Sequence, residues 1–293
     1  MAARKKELLC SFDDVNGKEN KNIYLLIKRD LVRNHNLTEL KELLEDATGK
    51  YNLVESRERK EKEESLEGII LYKHNLPIEE DKMVNKFVEK FPVQITSSIT
   101  TRVHPTHIIV SGPQVDLTWG LLSSTVNGCW IVAVQWIKDC LKENSPKSTS
   151  SYILTKDQFA GFEKARNNLK FDLPKLFCGC HFYFGGQFDI YTINNVTVGK
   201  AELKYFVEKN GGKILKRCPD PESLTLEKTI PYHVDVTGSL KETSHYIIYQ
   251  TEKWDPIPKY AMSHMKTLPI EWLLASVLKF ELIDPKNHTG SYL

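Results

Sequence analysis

Asn127-Gly128-Cys129-Trp130-Ile131-Val132-Ala133-Val134-Gln135-Trp136-Ile137-Lys138-Asp139-Cys140-Leu141 decides how the chain is read. A glycine turn opens the stretch. Trp130 to Val134 is a short continuous apolar run, the pattern of a strand buried on both faces. The period then changes. Trp136 and Cys140 are four apart, and so are Ile137 and Leu141, which lays one apolar stripe along a helix and leaves Lys138 and Asp139 off it. The stretch predicts a strand running straight into a helix. A second copy stands at Leu268-Pro269-Ile270-Glu271-Trp272-Leu273-Leu274-Ala275-Ser276-Val277-Leu278-Lys279-Phe280. There Trp272 and Ser276 take the places of Trp136 and Cys140. Two copies of one element point to a duplicated unit.

Outward from the first copy, Gly68 to Tyr72 reads as a buried strand. Leu76-Pro77 leads into a helix with Met83, Phe87 and Val88 inward, and Val93 to Thr96 is a short second strand. Thr106 to Ser111 is a third strand, and Leu117 to Thr125 a second helix. The order restarts at Cys180 to Phe184. A helix follows over Ala201 to Lys209, ended by Asn210-Gly211-Gly212 as glycines end helices. Lys213 to Leu215 is again a short strand, and Ser244 to Tyr249 matches Thr106 to Val110. Strands alternating with helices across short turns predict an α/β fold with parallel sheets. Cys218 to Glu242 is a long loop, of the kind that is often functional in a compact domain. The expected organisation is a charged N-terminal arm over 1–66, a first domain over 67–143, a linker over 144–173, a second domain over 174–286 and a tail over 287–293. The arm offers an amphipathic helix with Leu40, Leu43 and Leu44 on one face and Thr38 as its N-cap. Glu55 to Glu64 reads as a solvated tether. The linker is polar, with a short helix near Phe159 to Asn168.

The 293 residues are 41% apolar and 10% aromatic, enough for two packed cores, and the formal charge of +2 is too small to argue for a wholesale nucleic-acid binder, so any basic surface must be local. No apolar run reaches the ~18 residues of a membrane span, so no membrane partner is expected. Met1-Ala2-Ala3-Arg4-Lys5-Lys6 lacks the apolar core of a secretory signal, which predicts a soluble intracellular protein. The six cysteines show no C-x-x-C spacing and read as reduced thiols, not as a metal site or a disulfide framework. Glu79, Glu80 and Asp81 open a helix, where carboxylates suit the dipole better than they suggest acid–base work. No phosphate loop, nucleophile elbow or zinc helix is present, so no catalytic residue and no cofactor is assigned. Lys200, Lys204, Lys209, Lys213, Lys216 and Arg217 form a local basic cluster, read as a solvated face with phosphate contact as the alternative. Lys164, Arg166 and Lys170 in the linker have the same two readings.

Gly128-Cys129-Trp130 with Trp136, the pairs Thr106-His107 and Ser244-His245, Gly211-Gly212 and Trp272 together resemble BRCT domains, here two in tandem from about Gly68 to Pro285. Leu173-Pro174-Lys175-Leu176-Phe177, Gly179-Cys180-His181-Phe182-Tyr183 and His245-Tyr246-Ile247-Ile248-Tyr249 carry a nearer resemblance. It is to the branch whose full-length members bear a RING domain and partner a breast-cancer susceptibility ubiquitin ligase. This chain departs from that branch in showing neither RING zinc ligands nor an ankyrin pattern. The resemblance therefore implies the reader end of such a protein and not its ligase end.

The resemblance implies two four-stranded parallel sheets flanked by helices, packed head to tail. Trp119 and Leu122 are then expected in the cleft between the repeats, and Trp130, Trp136, His107, His245 and Trp272 in the cores. Phosphopeptide-binding pairs use a Ser and a Gly after the first strand, and a Thr and a Lys two apart on the second helix. Here those positions fall on His74 and Asn75, preceded by Lys73, and on Thr118 and Gly120. A hydroxyl is kept and the fixed cation is lost. His74, as an imidazole, is the candidate to replace part of that charge. The implied function is a non-catalytic reader and scaffold in DNA double-strand break repair, in the nucleus. The implied partners are a nucleosome or histone, a phosphoprotein, or poly(ADP-ribose). Two other readings stand beside it: a subunit associated with a RING ubiquitin ligase, and a structural dimerisation module.

Overall fold

The computed structural model describes residues 66, 68–97, 99, 104–154, 159–186, 189–193, 196–221, 231–235, 238–250 and 262–285. The arm helix at Leu40, the Glu55–Glu64 tether, part of the long loop after Cys218 and the tail lie outside them. The chain divides into two compact units, 1–66 with 146–148, and 67–145 with 149–293. All the elements below belong to the second unit.

The first repeat runs β1 (Ile70–Lys73), α1 (Ile78–Lys90), β2 (Gln94–Thr96), β3 (His107–Val110), α2 (Trp119–Ser124), β4 (Trp130–Ala133) and α3 (Gln135–Glu143). One 3-10 turn, Thr125–Asn127, extends α2. The strands form a parallel sheet in the order β2-β1-β3-β4. All four residues of β3 are buried, as a central strand covered on both faces requires. Helix α1 turns Val84 and Phe87 into the core and carries Glu79, Glu80 and Asp81 in its first turn, where they complement the dipole. Helix α3 buries Trp136, Ile137 and Cys140, the stripe read from the sequence.

Helix α4 (Ala160–Lys170) follows, and then the second repeat. Its elements are β5 (His181–Phe184), β6 (Ile190–Ile193), β7 (Val196–Gly199), α5 (Lys200–Lys209), β8 (Lys213–Ile214), β9 (His245–Tyr249), β10 (Met265–Pro269) and α6 (Ile270–Lys279). Its main sheet is again parallel, in the order β8-β5-β9-β10. The two sheets thus share one strand order, short strand at one edge and the strand before the Trp helix at the other. This is the pair of four-stranded parallel sheets that the BRCT resemblance implies. Two elements differ from the sequence reading. The segment before α5 is an antiparallel hairpin, β6 with β7, in which Tyr191 faces Val198 and both are buried. The strand β10 precedes the second Trp helix and buries Met265 and Leu268, so that copy begins earlier than its apolar run suggests.

Helix α4 lies in a polar stretch but is packed on both sides. Phe162 and Ala165 are buried. A Cβ on Gly128, whose φ is +61°, would sit 2.7 Å from the backbone nitrogen of Arg166. A Cβ on Gly161 would sit 1.9 Å from the carbonyl oxygen of Leu278. Glycine at these two positions lets α4 approach the turn before β4 on one side and α6 on the other. The larger core spans both repeats: Leu122 and Val126 join Leu203, Phe206, Leu273, Leu274 and Val277 in one cluster.

Candidate ligand-recognition site at the start of helix α2

Strands β1 and β3 are parallel neighbours, so the chain leaving β1 and the chain leaving β3 emerge at the same edge of the sheet. The first turns through His74 and Asn75, the latter at φ +46°, a left-handed conformation that Asn adopts more readily than most residues. The second passes Ser111 to Leu117 and enters α2. His74 ties the two together: it is buried, and its Nε2 lies 2.8 Å from the carbonyl oxygen of Asp116, to which it donates. Thr118 is the N-cap of α2, its Oγ1 accepting from the backbone N–H of Leu121 at 3.2 Å. The structure therefore brings His74 and Asn75 close in the fold to the approach to Thr118.

The charges at this edge are arranged differently. Lys73 turns to α1, with its Nζ 2.5 Å from Asp81 and 3.3 Å from the Asn85 side-chain oxygen. Alternation along β1 places it on the side opposite its neighbour. Gly120 has room for a Cβ without a clash. A Cβ there would meet Ile99 Cδ1 at 3.6 Å and Thr118 Oγ1 at 3.8 Å, both ordinary contacts. Of the five residues carried over from the phosphate pocket, one supplies a hydroxyl already engaged as a cap and one a cation already paired.

Trp119 and Leu122 lie where α2 meets the second repeat. The Trp119 indole packs edge-on against Phe206, ring centres 5.1 Å apart, and its Nε1–H donates to Glu202 at 2.7 Å. Leu122 is fully buried in the shared core. Sequence reasoning missed Glu202, because no periodicity tells which face of α5 meets α2.

The core residues repeat one device. His107 Nδ1 is 2.8 Å from Thr106 Oγ1, and His245 Nδ1 is 2.9 Å from Ser244 Oγ. The His107 ring stacks on Trp136 at 6.2 Å, and His245 stacks on His181 at 4.6 Å. Burial, with a smaller push from the Arg166 guanidinium, lowers the His107 imidazole to about 4. Trp136 and Trp272 are fully buried. Trp130 is different: it is half-buried, and its ring is roofed by Arg166, whose guanidinium carbon stands 3.8 Å from the ring centre. Cys129 is buried, donates to the Pro105 carbonyl, and has its thiol pushed up to about 12 by burial. Among the described residues no group of three or more His, Cys, Asp or Glu is placed to hold a metal ion. Nor is any helix among them long and apolar enough to cross a membrane.

No family model matches the chain. It is similar to the human protein named BRCA1-associated RING domain protein 1, with 28% identity over 217 residues, covering 73% of this chain and 26% of that protein. To the mouse protein of the same name it is 25% identical over 268 residues, covering 89% of this chain and 33% of that one. The match thus spans a third or less of those relatives' length. Among solved structures, the S. pombe Brc1 BRCT5-BRCT6 domains align with a TM-score of 0.42 at 17% identity, covering 73% of this chain and 93% of that one.

Proposed function

We propose that this chain, a tandem BRCT protein similar to BRCA1-associated RING domain protein 1, is a non-catalytic reader and scaffold in DNA double-strand break repair. It acts in the nucleus, on chromatin or on a phosphoprotein. One observation carries the reading: the similarity runs over 217 of the 293 residues, so it reaches into both repeats. The sequence offers no phosphate loop, nucleophile elbow or zinc helix, and the proposed role is accordingly recognition. The candidate edge at His74, Asn75 and Thr118 supports weak phosphate binding, because Lys73 is paired with Asp81 and position 120 has no side chain. A ubiquitylated nucleosome is one such chromatin ligand. The test is a pull-down of the full chain on unmodified and ubiquitylated nucleosomes. Selective retention by the ubiquitylated form supports recognition of that mark, equal retention by both overturns it in favour of general chromatin binding, and no retention by either overturns the chromatin reading.

A second reading has one observation in its favour. The two relatives are named for a RING domain and for association with BRCA1. Association with a RING ubiquitin ligase is supported if a RING protein co-purifies with the chain and its ubiquitin transfer depends on the chain.

A further inference from the structure

A groove of about 760 Å³ runs between α2 and α5, beginning at Trp119 beside the edge that holds Thr118 and leading along α2 to Asn127. From the α2 side it is lined by Trp119, Ser123, Val126 and Asn127, and from α5 by Glu202, Tyr205, Phe206 and Lys209. Each set has the three-and-four spacing of a single helix face. Trp119 and Glu202 close one end through their hydrogen bond, so this carboxylate is engaged by the indole.

The other end is basic. Lys175 Nζ donates to the backbone carbonyl of Lys209 at 2.9 Å, and Lys209 Nζ stands 5.2 Å from the centre of the Tyr205 ring. Among the described residues, neither lysine has a carboxylate within 4 Å. Between the two ends lies apolar surface that the fold leaves open: Leu169 is 54% exposed and Tyr205 42%. Two uncompensated ammonium groups beside exposed apolar side chains complement a ligand with carboxylates flanking a bulky apolar residue. A basic ligand would meet like charge at the same place.

We propose that this groove docks an acidic peptide segment of a partner protein. Its carboxylates pair with Lys175 and Lys209, and its apolar anchor rests on Leu169 and Tyr205. The site goes beyond the reader function above and does not depend on it.

The experiment is fluorescence anisotropy on the full chain with three labelled probes. The first is a peptide rich in Asp and Glu around one Phe, the second is the same peptide with Lys at every acidic position, and the third is a single-stranded oligonucleotide. The acidic peptide is expected to bind at least about tenfold more tightly than either other probe. Lys175→Glu with Lys209→Glu is expected to weaken it by about tenfold or more, and Leu169→Ser with Tyr205→Ala by several-fold. Lys86→Glu with Lys90→Glu, on the exposed side of α1, leaves it unchanged. All of these side chains are exposed, so melting temperatures stay near that of the parent chain. Binding of the acidic peptide unaffected by charge reversal at Lys175 and Lys209 overturns the proposal. So does equal binding of the basic peptide or of the oligonucleotide.

Discussion

His107 is held neutral by its surroundings, and that has a measurable consequence. Its imidazole is lowered from the ordinary 6.5 to about 4, first by burial and then by Arg166. In the unfolded chain it takes up a proton near pH 6.5. Between those values the unfolded state binds a proton that the native state does not, so stability falls as pH drops from 6.5 towards 4 and is insensitive to this group above 6.5. A shift of this size corresponds to about 3 kcal/mol at most. Urea unfolding of the parent chain at pH 7 and pH 4 is expected to show that loss, and His107→Gln to show less of it. An equal pH dependence in both proteins would contradict a neutral buried His107. Gly120 gives a second test. Its Cβ position is open, so Gly120→Lys is expected to fold and to place a cation two residues beyond Thr118. A hydrogen bond to a charged group contributes roughly 1.5–3 kcal/mol, which is about a ten- to hundredfold gain in affinity for a phosphoserine peptide over its plain form. Anisotropy on matched peptides measures it. No gain in the variant, or a preference above about tenfold already in the parent chain, shows that the phosphate is gripped by other groups.

Helix α4 is the element whose role is least visible in composition. Its sequence, Ala-Gly-Phe-Glu-Lys-Ala-Arg-Asn-Asn-Leu-Lys, holds few large apolar residues and reads as part of a linker. It packs through Phe162 and through small residues, with Gly161 against the Leu278 carbonyl. Gly161→Ala must push α4 away from α6, at a cost of about 1–3 kcal/mol or more. Gly112→Ala, where no atom lies within 4 Å, is the matched control and is expected to change the melting temperature little. A Gly161→Ala protein as stable as the control would show that the two helices separate freely. The elements that were legible are those whose apolar residues keep one period: Trp136 with Cys140 on α3, Trp272 with Ser276 on α6, and the fully buried β3. The hairpin β6–β7 has its own sequence signal, Asn194-Asn195 between two stretches rich in Ile, Val and Thr. For the candidate site, Thr118 and Gly120 are positions counted back from Trp130, and the Gly120→Lys measurement above tests them. The bond from Trp119 to Glu202 crosses 83 positions of sequence and depends on which helix faces meet, which periodicity within one helix does not contain.

The two repeats share a core, so they are expected to unfold together. Leu122 and Val126 belong to the first repeat by sequence, yet they sit among Leu203, Phe206, Leu273 and Leu274 of the second. Trp272 anchors that cluster. It is fully buried, stacks on Tyr246 at 5.3 Å, and donates from Nε1 to the Ile283 carbonyl at 2.8 Å. Trp272→Ala removes the indole, leaves a cavity and orphans that carbonyl, which together cost about 3–5 kcal/mol. For a folded region of this size such a loss lowers the melting midpoint by roughly 6–20 °C. If α2 is held by the shared core, the loss is felt in the first repeat too, although Trp272 lies in the second. Hydrogen exchange reads the two repeats separately, on the amides of β3 in the first and of β9 in the second. In the variant both strands are expected to lose protection by similar factors. Loss confined to β9, with β3 protected as in the parent chain, would mean that the repeats fold as independent bodies and that Leu122 and Val126 contribute contact without cooperativity.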